Sequence, residues 1–317
     1  MTRPKPTISA GDVLSYSSGS TNRDPHGFRI TQKGGNLLGL IKARWPGLVA
    51  TFGDRMPIVI NTYPAHIGSF DFGVTVDSYL SYTTASRALH LAHEEGLPVM
   101  LLGQTLFLAH LLFKHAGGGH PMPDSILCGV GGYTTPRSLE NALRDVCERH
   151  GTHMSMLHGY GVAEVDAAVL LAATRSEKGE LLYERRSPDV EVDFAGTNLL
   201  LSLKAPNGGY IIERFPTGDQ GRQQGEHYLV WNPERLHPQV EMLLEGWSVE
   251  DWHRRTGYLH YGQQLRFQLR KGAEAKSPVE MEFYDYARQY GHDWLFKPEW
   301  SAKIRTGGNK MMRRTLI

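Results

Sequence analysis

The sequence predicts an α/β protein, a parallel sheet with flanking helices plus a small β-rich subdomain, followed by a small α+β domain. Three observations carry this expectation. Between residues 85 and 157, short apolar runs alternate with amphipathic stretches of helical spacing. From about residue 166 to 233, β-type segments are separated by Gly, Pro and Asn turns. From residue 234 onward, alternation resumes and ends in a basic tail. The expected division is therefore 1–233, with an α/β layer over 1–165 and a β-rich part over 166–233, and then 234–317.

The elements follow in order. Residues 12–16 read as a short strand running into a hydroxyl-rich loop, and 56–61 as an apolar run. Residues 85–95 read as a helix with Leu89 and Ala92 on one face, 98–102 as a buried strand and 105–114 as a helix. A strand over 125–130 ends in Gly131-Gly132. Residues 136–150 form an amphipathic helix with Leu139, Leu143 and Val146 at helical spacing and Pro136 at its start. A short strand at 154–157 runs into His158-Gly159-Tyr160-Gly161. Strands joined by helices must run parallel, because only a crossover returns the chain to the same end of the sheet. Ligands of such sheets gather at the carboxyl ends of the strands, where both glycine-rich segments fall.

In the second part, 168–173, 179–183, 198–203 and 209–214 read as strands of a small antiparallel sheet or barrel. Ala205-Pro206-Asn207-Gly208-Gly209 supplies strong turn chemistry. In the last part, 238–244 and 277–290 read as helices and 263–269 as a strand.

Composition narrows the class. Of 317 residues, 40% are hydrophobic and 21% charged, enough apolar content for a sizeable core. The formal net charge is +1, so no global field recruits nucleic acid or an acidic membrane. No apolar run reaches the length of a membrane span, and MTRPKPTISAGD lacks a secretory apolar core. Two distant cysteines, Cys128 and Cys147, read as reduced core thiols in a cytoplasmic protein. The 15 histidines are scattered without an HExxH pattern.

Several short motifs carry chemistry. Ser17, Ser18, Gly19, Ser20 and Thr21 combine hydroxyl donors with one glycine that lets backbone approach a polyphosphate; the bland alternative is a solvated linker. The run continues through Asn22 and Asp24-Pro25-His26-Gly27 and lacks the common P-loop spacing. Next come Tyr63-Pro64-Ala65-His66-Ile67-Gly68, Gly131-Gly132-Tyr133-Thr134-Thr135-Pro136, and His158-Gly159-Tyr160-Gly161-Val162-Ala163-Glu164. Then come Phe215-Pro216-Thr217-Gly218-Asp219-Gln220-Gly221-Arg222 and Arg305-Thr306-Gly307-Gly308-Asn309-Lys310 followed by Arg313 and Arg314. Each alone has a structural reading: a packed histidine, a strand-to-helix turn, an ordinary Thr-Gly-Asp turn, a frayed basic tail.

Together and in this order, the six resemble the signatures of the acyl-adenylate-forming (ANL) superfamily, which includes acyl-CoA synthetases, luciferases and the adenylation domains of peptide synthetases. The resemblance implies ATP and Mg²⁺ as cofactors. It implies a phosphate loop at residues 17–21, a pocket-flanking His66, and backbone at Gly131 and Gly132 lying against adenine beside Tyr133. It further implies Tyr160 stacking on the base within the 158–161 segment, Glu164 on magnesium, Asp219 on the ribose hydroxyls beside Arg222, and Lys310 as the catalytic lysine on a mobile C-terminal domain. Asn22, His26 and Ala163 depart from the pattern's glycine, lysine and threonine.

The implied activity is adenylation of a small carboxylic acid to acyl-AMP and pyrophosphate. Phe70 and Phe72 near His66 favour an aromatic acid. The acceptor is open between an amine, a carrier-protein thiol and coenzyme A. The hinge signature of the superfamily is missing between Trp231 and Arg235, which bears on thioester formation more than on adenylation. Two alternatives stand beside it: adenylation of nitrite for diazotisation of an aryl amine, and a non-catalytic nucleotide-binding scaffold. Only about a dozen residues precede the phosphate loop, so the sheet is expected to be covered by a second copy in a homodimer.

Overall fold

The computed structural model describes residues 13–16, 28–31, 37–62, 72–78, 81–131, 135–162, 165–231 and 246–253. Strands β1 (Val13–Tyr16) and β2 (Phe28–Thr31) form a two-stranded antiparallel sheet in which Tyr16 opposes Phe28. The hydroxyl-rich segment between these two strands lies outside the described residues. Helix α1 (Leu37–Arg44) and a 3₁₀ segment (Pro46–Phe52) follow.

The main body is one 11-stranded mixed sheet. Its parallel half contains β3 (Ile58–Asn61), β4 (Val74–Asp77), β5 (Val99–Gly103), β6 (Ser125–Gly131) and β7 (His153–Val162), in the order β7-β6-β5-β3-β4. The connecting helices are α2 (Tyr82–Glu94), α3 (Thr105–Gly117) and α4 (Arg137–Arg149). From β3 through β5 and β6 to β7 the chain moves steadily across the sheet. Right-handed crossovers taken in one direction place every connecting helix on the same face. The packing agrees. Leu89, Leu108, Leu111, Leu139 and Leu143 of the helices meet Ile58, Leu101, Ile126, Cys128 and Met154 in one cluster. The opposite face, with Val59, Met100, Leu127 and Leu157, is covered by Ile41 of α1 and Val49 and Phe52 of the 3₁₀ segment. Strands buried on both faces read as continuous apolar runs, which is why β3 and β5 show no alternation.

Helix ends follow local chemistry. Ser81 caps α2 by accepting from the Thr84 amide, at 3.3 Å. Gly151, at φ 72°, ends α4 while the Thr152 amide returns to the Cys147 carbonyl. Pro136 sits just before the first helical residue, Arg137, one position earlier than its sequence pattern implied.

The antiparallel half contains β8 (Asp166–Arg175), β9 (Leu181–Arg185), β10 (Val190–Ala195), β11 (Asn198–Lys204), β12 (Tyr210–Gln224) and β13 (His227–Trp231). Sequence placed it beside the α/β layer as a sheet of its own. The structure instead continues the same sheet, with β8 pairing β7 and β13 pairing β9 at Tyr228 and Tyr183. Val169, Leu170, Tyr183, Leu199 and Leu201 form its core. The turn at 205–209 closes as its residues imply, with the Ala205 amide on the Gly209 carbonyl and Gly208 at φ 85°.

A second correction concerns β7. Residues 158–161 were expected at the carboxyl end of a short strand, 154–157. They lie inside β7, which outruns its parallel partner at Gly131 and continues antiparallel to β8 as far as Val162. Residues 246–253, in the segment assigned from sequence to the C-terminal domain, pack on the helical face. Trp252 is 1% exposed, and its indole Nε1 donates to Ser138 Oγ at 2.9 Å. Trp252 meets Trp247 edge-on, and His253 lies against Phe113. The helix and strand expected at 238–244, 263–269 and 277–290 lie outside the described residues. Among the described residues, no helix is long and apolar enough to cross a membrane.

Candidate functional site

The carboxyl ends of the parallel strands form a tightly built rim. Asn61 and Thr62 are buried where β3 ends. The Thr62 amide and hydroxyl both donate to the Leu102 carbonyl, at 2.7 and 2.9 Å. Gly103 lies against this hydroxyl so closely that a Cβ there would stand 1.9 Å from Thr62 Oγ1. Below the rim, Phe72 packs against the apolar cluster under α1. Gly131 of β6 sits directly opposite Gly159 of β7, so no side chain separates these two strand ends. His66, Phe70, Gly132, Tyr133, Glu164, Ser17, Ser18, Gly19, Ser20, Thr21 and Lys310 lie outside the described residues.

Two of the sequence-predicted residues come together from strands 59 positions apart. The Tyr160 hydroxyl donates to Asp219 Oδ2 at 2.6 Å, the short range of a bond to a charged acceptor. Tyr160 is placed by the two-residue period of β7, which also puts His158 on the same face, toward α4. Its ring meets Tyr183 edge-on at 6.2 Å. Burial pushes the Tyr183 phenol well up from its usual range, so that neighbour stays neutral.

Asp219 is aimed by an irregularity in β12. Between the pairs Asn198–Gln220 and Leu200–Pro216, β12 carries extra residues, and Gly218 takes φ 80°. The Thr217 hydroxyl fixes the bend by donating to the Leu199 carbonyl and accepting from the Asp219 amide, each at 3.0 Å. Asp219 is 5% exposed. A carboxylate can only accept hydrogen bonds, so a buried one facing a tyrosine hydroxyl suits further hydroxyl donors. Arg222, of opposite strand parity, is more than half exposed and pairs with Glu180 at 3.4 Å. A side chain at neighbouring Gly221 would collide with the Leu229 carbonyl, which keeps β12 and β13 close at this point.

His158 enters a network that the sequence patterns did not single out. Its Nε2 lies 3.5 Å from Glu140 Oε2 on α4. Arg175, the last residue of β8, donates to the same oxygen from Nε and Nη2, at 3.1 and 3.0 Å. Arg144 takes Glu140 Oε1 at 3.0 Å. Arg175 Nη2 also donates to the Thr135 carbonyl at 2.8 Å, and Thr135 shares a buried hydroxyl contact with Thr105 at 2.8 Å. Burial alone would raise the Glu140 carboxyl, but His158 and Arg175 outweigh it and hold the carboxyl at about 2. Burial lowers the His158 imidazole below its usual value, and Glu140 offsets this only in part. At neutral pH the network is a carboxylate–guanidinium pair with a neutral imidazole donor.

The thiols are buried and free. Burial pushes Cys147 up to about 12 and raises Cys128 as well, so neither supplies a thiolate. Among the described residues, no group of three or more His, Cys, Asp or Glu could hold a metal ion. A cavity of about 460 Å³ opens on the antiparallel half beside Arg185, Glu191, Asp193 and Arg214. In its lining Arg214 pairs with Asp193, and Glu191 pairs with Lys204.

No family model matches the chain. A stretch of 183 residues is 27% identical to mouse carnosine synthase 1, over 55% of this chain and 21% of that one. The chain thus spans about a fifth of this relative. Two solved structures share parts of the arrangement. One is an acyl-CoA synthetase (AMP-forming)/AMP-acid ligase II-like protein from Dyadobacter fermentans, with a TM-score of 0.42 and 14% identity over 70% of this chain and 59% of that one. The other is CmiS6, with a TM-score of 0.40 and 17% identity over 64% of this chain and 57% of that one. Both scores are too low to transfer a site or an activity.

Proposed function

We propose that this chain is an ATP-dependent ligase that adenylates a small acid, with the nucleotide held against the Tyr160–Asp219 pair that joins β7 to the β12 bend. The observation that carries the reading is the Tyr160–Asp219 pair. It joins an aromatic ring suited to a purine face and a buried acceptor suited to ribose hydroxyls, at 2.6 Å. The order of the six motifs supports it. Asp219 fits the nucleotide in chemical kind, because a carboxylate accepts hydrogen bonds from hydroxyls.

In this reading, an oxygen of the acid attacks the α-phosphorus of ATP, the bond to the β-phosphate oxygen breaks, and pyrophosphate leaves. Lys310 places positive charge against the charge that develops on the phosphates. Magnesium, when bound, would neutralise phosphate charge, with Glu164 as its protein ligand. His66 would flank the acid, and the 17–21 loop would receive the phosphates. The acid is a carboxylate of aromatic type, and the acceptor is an amine, a carrier thiol or coenzyme A.

The test is AMP release from ATP across a panel of small acids, with and without nitrite, using wild type and Lys310→Ala. Acid-dependent AMP release that Lys310→Ala abolishes supports the proposal. Release that depends on nitrite and an aryl amine moves the substrate to an oxyanion. Absence of AMP release with every acid, together with no effect of Lys310→Ala on nucleotide binding, supports a scaffold instead.

A further inference from the structure

Beside the Tyr160–Asp219 pair stands a third polar side chain, Tyr183 of β9. It is 7% exposed and packs in the apolar core of the antiparallel half. Its ring meets that of Tyr160 edge-on. The charges of Arg175 and Asp219 both act on its phenol, in opposite senses. Among the described residues, its hydroxyl nevertheless has no hydrogen-bond partner. A buried hydroxyl in that condition has lost the bonds it made to water in the unfolded chain and gained none in return. Such groups are rare in folded proteins. Phenylalanine would fill the same space without that loss.

The backbone opposite Tyr183 is irregular as well. Leu171 of β8 faces Glu184, and Thr174 faces Leu182, so Ala172 and Ala173 together face the single residue Tyr183. This is a β-bulge, which bends its strand and re-aims a side chain. On its other side, β9 pairs with β13 at this same residue, Tyr183 with Tyr228. Backbone pairing thus fixes Tyr183 from both sides, with a local kink on one of them.

We propose that Tyr183 is a ligand-binding residue, and that its hydroxyl donates to a sugar hydroxyl of the nucleoside held at the Tyr160–Asp219 pair. This rests on the nucleotide reading of the site. The chemistry is complementary. A carboxylate only accepts, so a ribose hydroxyl that meets Asp219 donates to it, and the oxygen of that hydroxyl remains an acceptor. A neutral phenol supplies the matching donor. Burial keeps Tyr183 protonated at physiological pH, so that donor is always present. Carboxylate and phenol together read a hydroxyl as donor and acceptor at once. A hydrogen in its place satisfies neither, so the site selects ribonucleotides over deoxyribonucleotides.

The test is titration calorimetry of AMP, 2′-deoxy-AMP and 3′-deoxy-AMP into wild type and Tyr183→Phe, with the melting temperature of each protein. Tyr183→Phe removes one oxygen and keeps the ring. Tyr183→Met fills the space without a hydroxyl and carries the comparison if Tyr183→Phe does not fold. AMP is expected to bind the variant roughly three- to tenfold more weakly, the worth of one neutral hydrogen bond, while the melting temperature without ligand stays level or rises. One of the two deoxy analogues is expected to bind both proteins alike, because it lacks the hydroxyl that Tyr183 meets. A variant that binds AMP as wild type does, whatever its melting temperature, overturns the proposal. Equal weakening of AMP and both analogues also overturns it, since the contact then lies away from the sugar. A wild type that binds no AMP overturns the nucleotide reading itself, and this inference with it.

Discussion

Tyr160→Phe isolates one hydrogen bond at the centre of the site. The substitution keeps the ring and its edge-on contact with Tyr183, and removes only the hydroxyl that donates to Asp219. Asp219 is 5% exposed, so water has little room to replace the lost donor. A hydrogen bond to a charged group contributes roughly 1.5–3 kcal/mol. For a folded unit of this size each kcal/mol moves the melting temperature by about 2–4 °C, so a fall of about 3–12 °C is expected. Differential scanning calorimetry at pH 7 without ligand reads it. AMP should then raise the melting temperature of the variant at least as much as that of wild type, because ribose hydroxyls meet a carboxylate with no competing phenol. A variant that melts within about 1 °C of wild type would refute the reasoning, since the pair could not then be a buried charge-assisted bond.

Three further predictions follow from the same geometry. Glu140 is held at about 2 in the folded state, below its unfolded value, so its stabilisation is complete above about pH 4.5 and is lost as pH falls toward 2. The loss is roughly 3 kcal/mol, and urea unfolding of wild type against Glu140→Gln across pH 2–6 should show the variant lacking that part of the slope. His158, lowered by burial, adds an earlier loss that begins as pH drops below 6.5, because the unfolded imidazole takes up its proton first. Trp252→Ala should cost about 3–5 kcal/mol in urea unfolding, since the indole is 1% exposed within the helical-face core; an unchanged midpoint would mean that residues 246–253 do not belong to that core. The sheet ends in an edge strand, β4, whose Val74 is 48% exposed, and sedimentation at micromolar concentration is expected to show a dimer; a clean monomer would count against a partner copy at that edge.

The parts of the fold legible in the sequence were those with a strong period. Helices α2 and α4 place alanines and leucines on one stripe, and β5 and β6 are continuous apolar runs. Helix α1 was not legible, because Leu37–Arg44 is short and its apolar residues do not gather on one side. Strand β4 has only four residues, β10 alternates acidic and apolar positions over only six, and β13 has only five residues, all too brief to separate from loop. The 158–161 segment misled for a physical reason. Its two glycines signal a turn locally, but pairing with β6 on one side and β8 on the other overrides that preference.

The candidate site divides in the same way. Tyr160 and Asp219 stand in recognisable short motifs, so their pairing was open to sequence reasoning. Arg175 and Glu140 had no such signal. Arg175 lies 35 residues from Glu140 and 40 from Thr135 in the chain, and each looks like an ordinary surface charge until the sheet and α4 bring them together. The one local cue was an arginine closing a strand whose residues 167–173 are otherwise apolar.

The central claim is that a nucleotide is held at the Tyr160–Asp219 pair. Titration calorimetry of AMP into wild type and into Asp219→Asn tests it most directly, since AMP needs no knowledge of the acid. The account predicts saturable one-to-one binding by wild type, weakened at least tenfold in Asp219→Asn because one acceptor oxygen becomes a donor. Equal binding by both proteins, with the variant still folded, would contradict it.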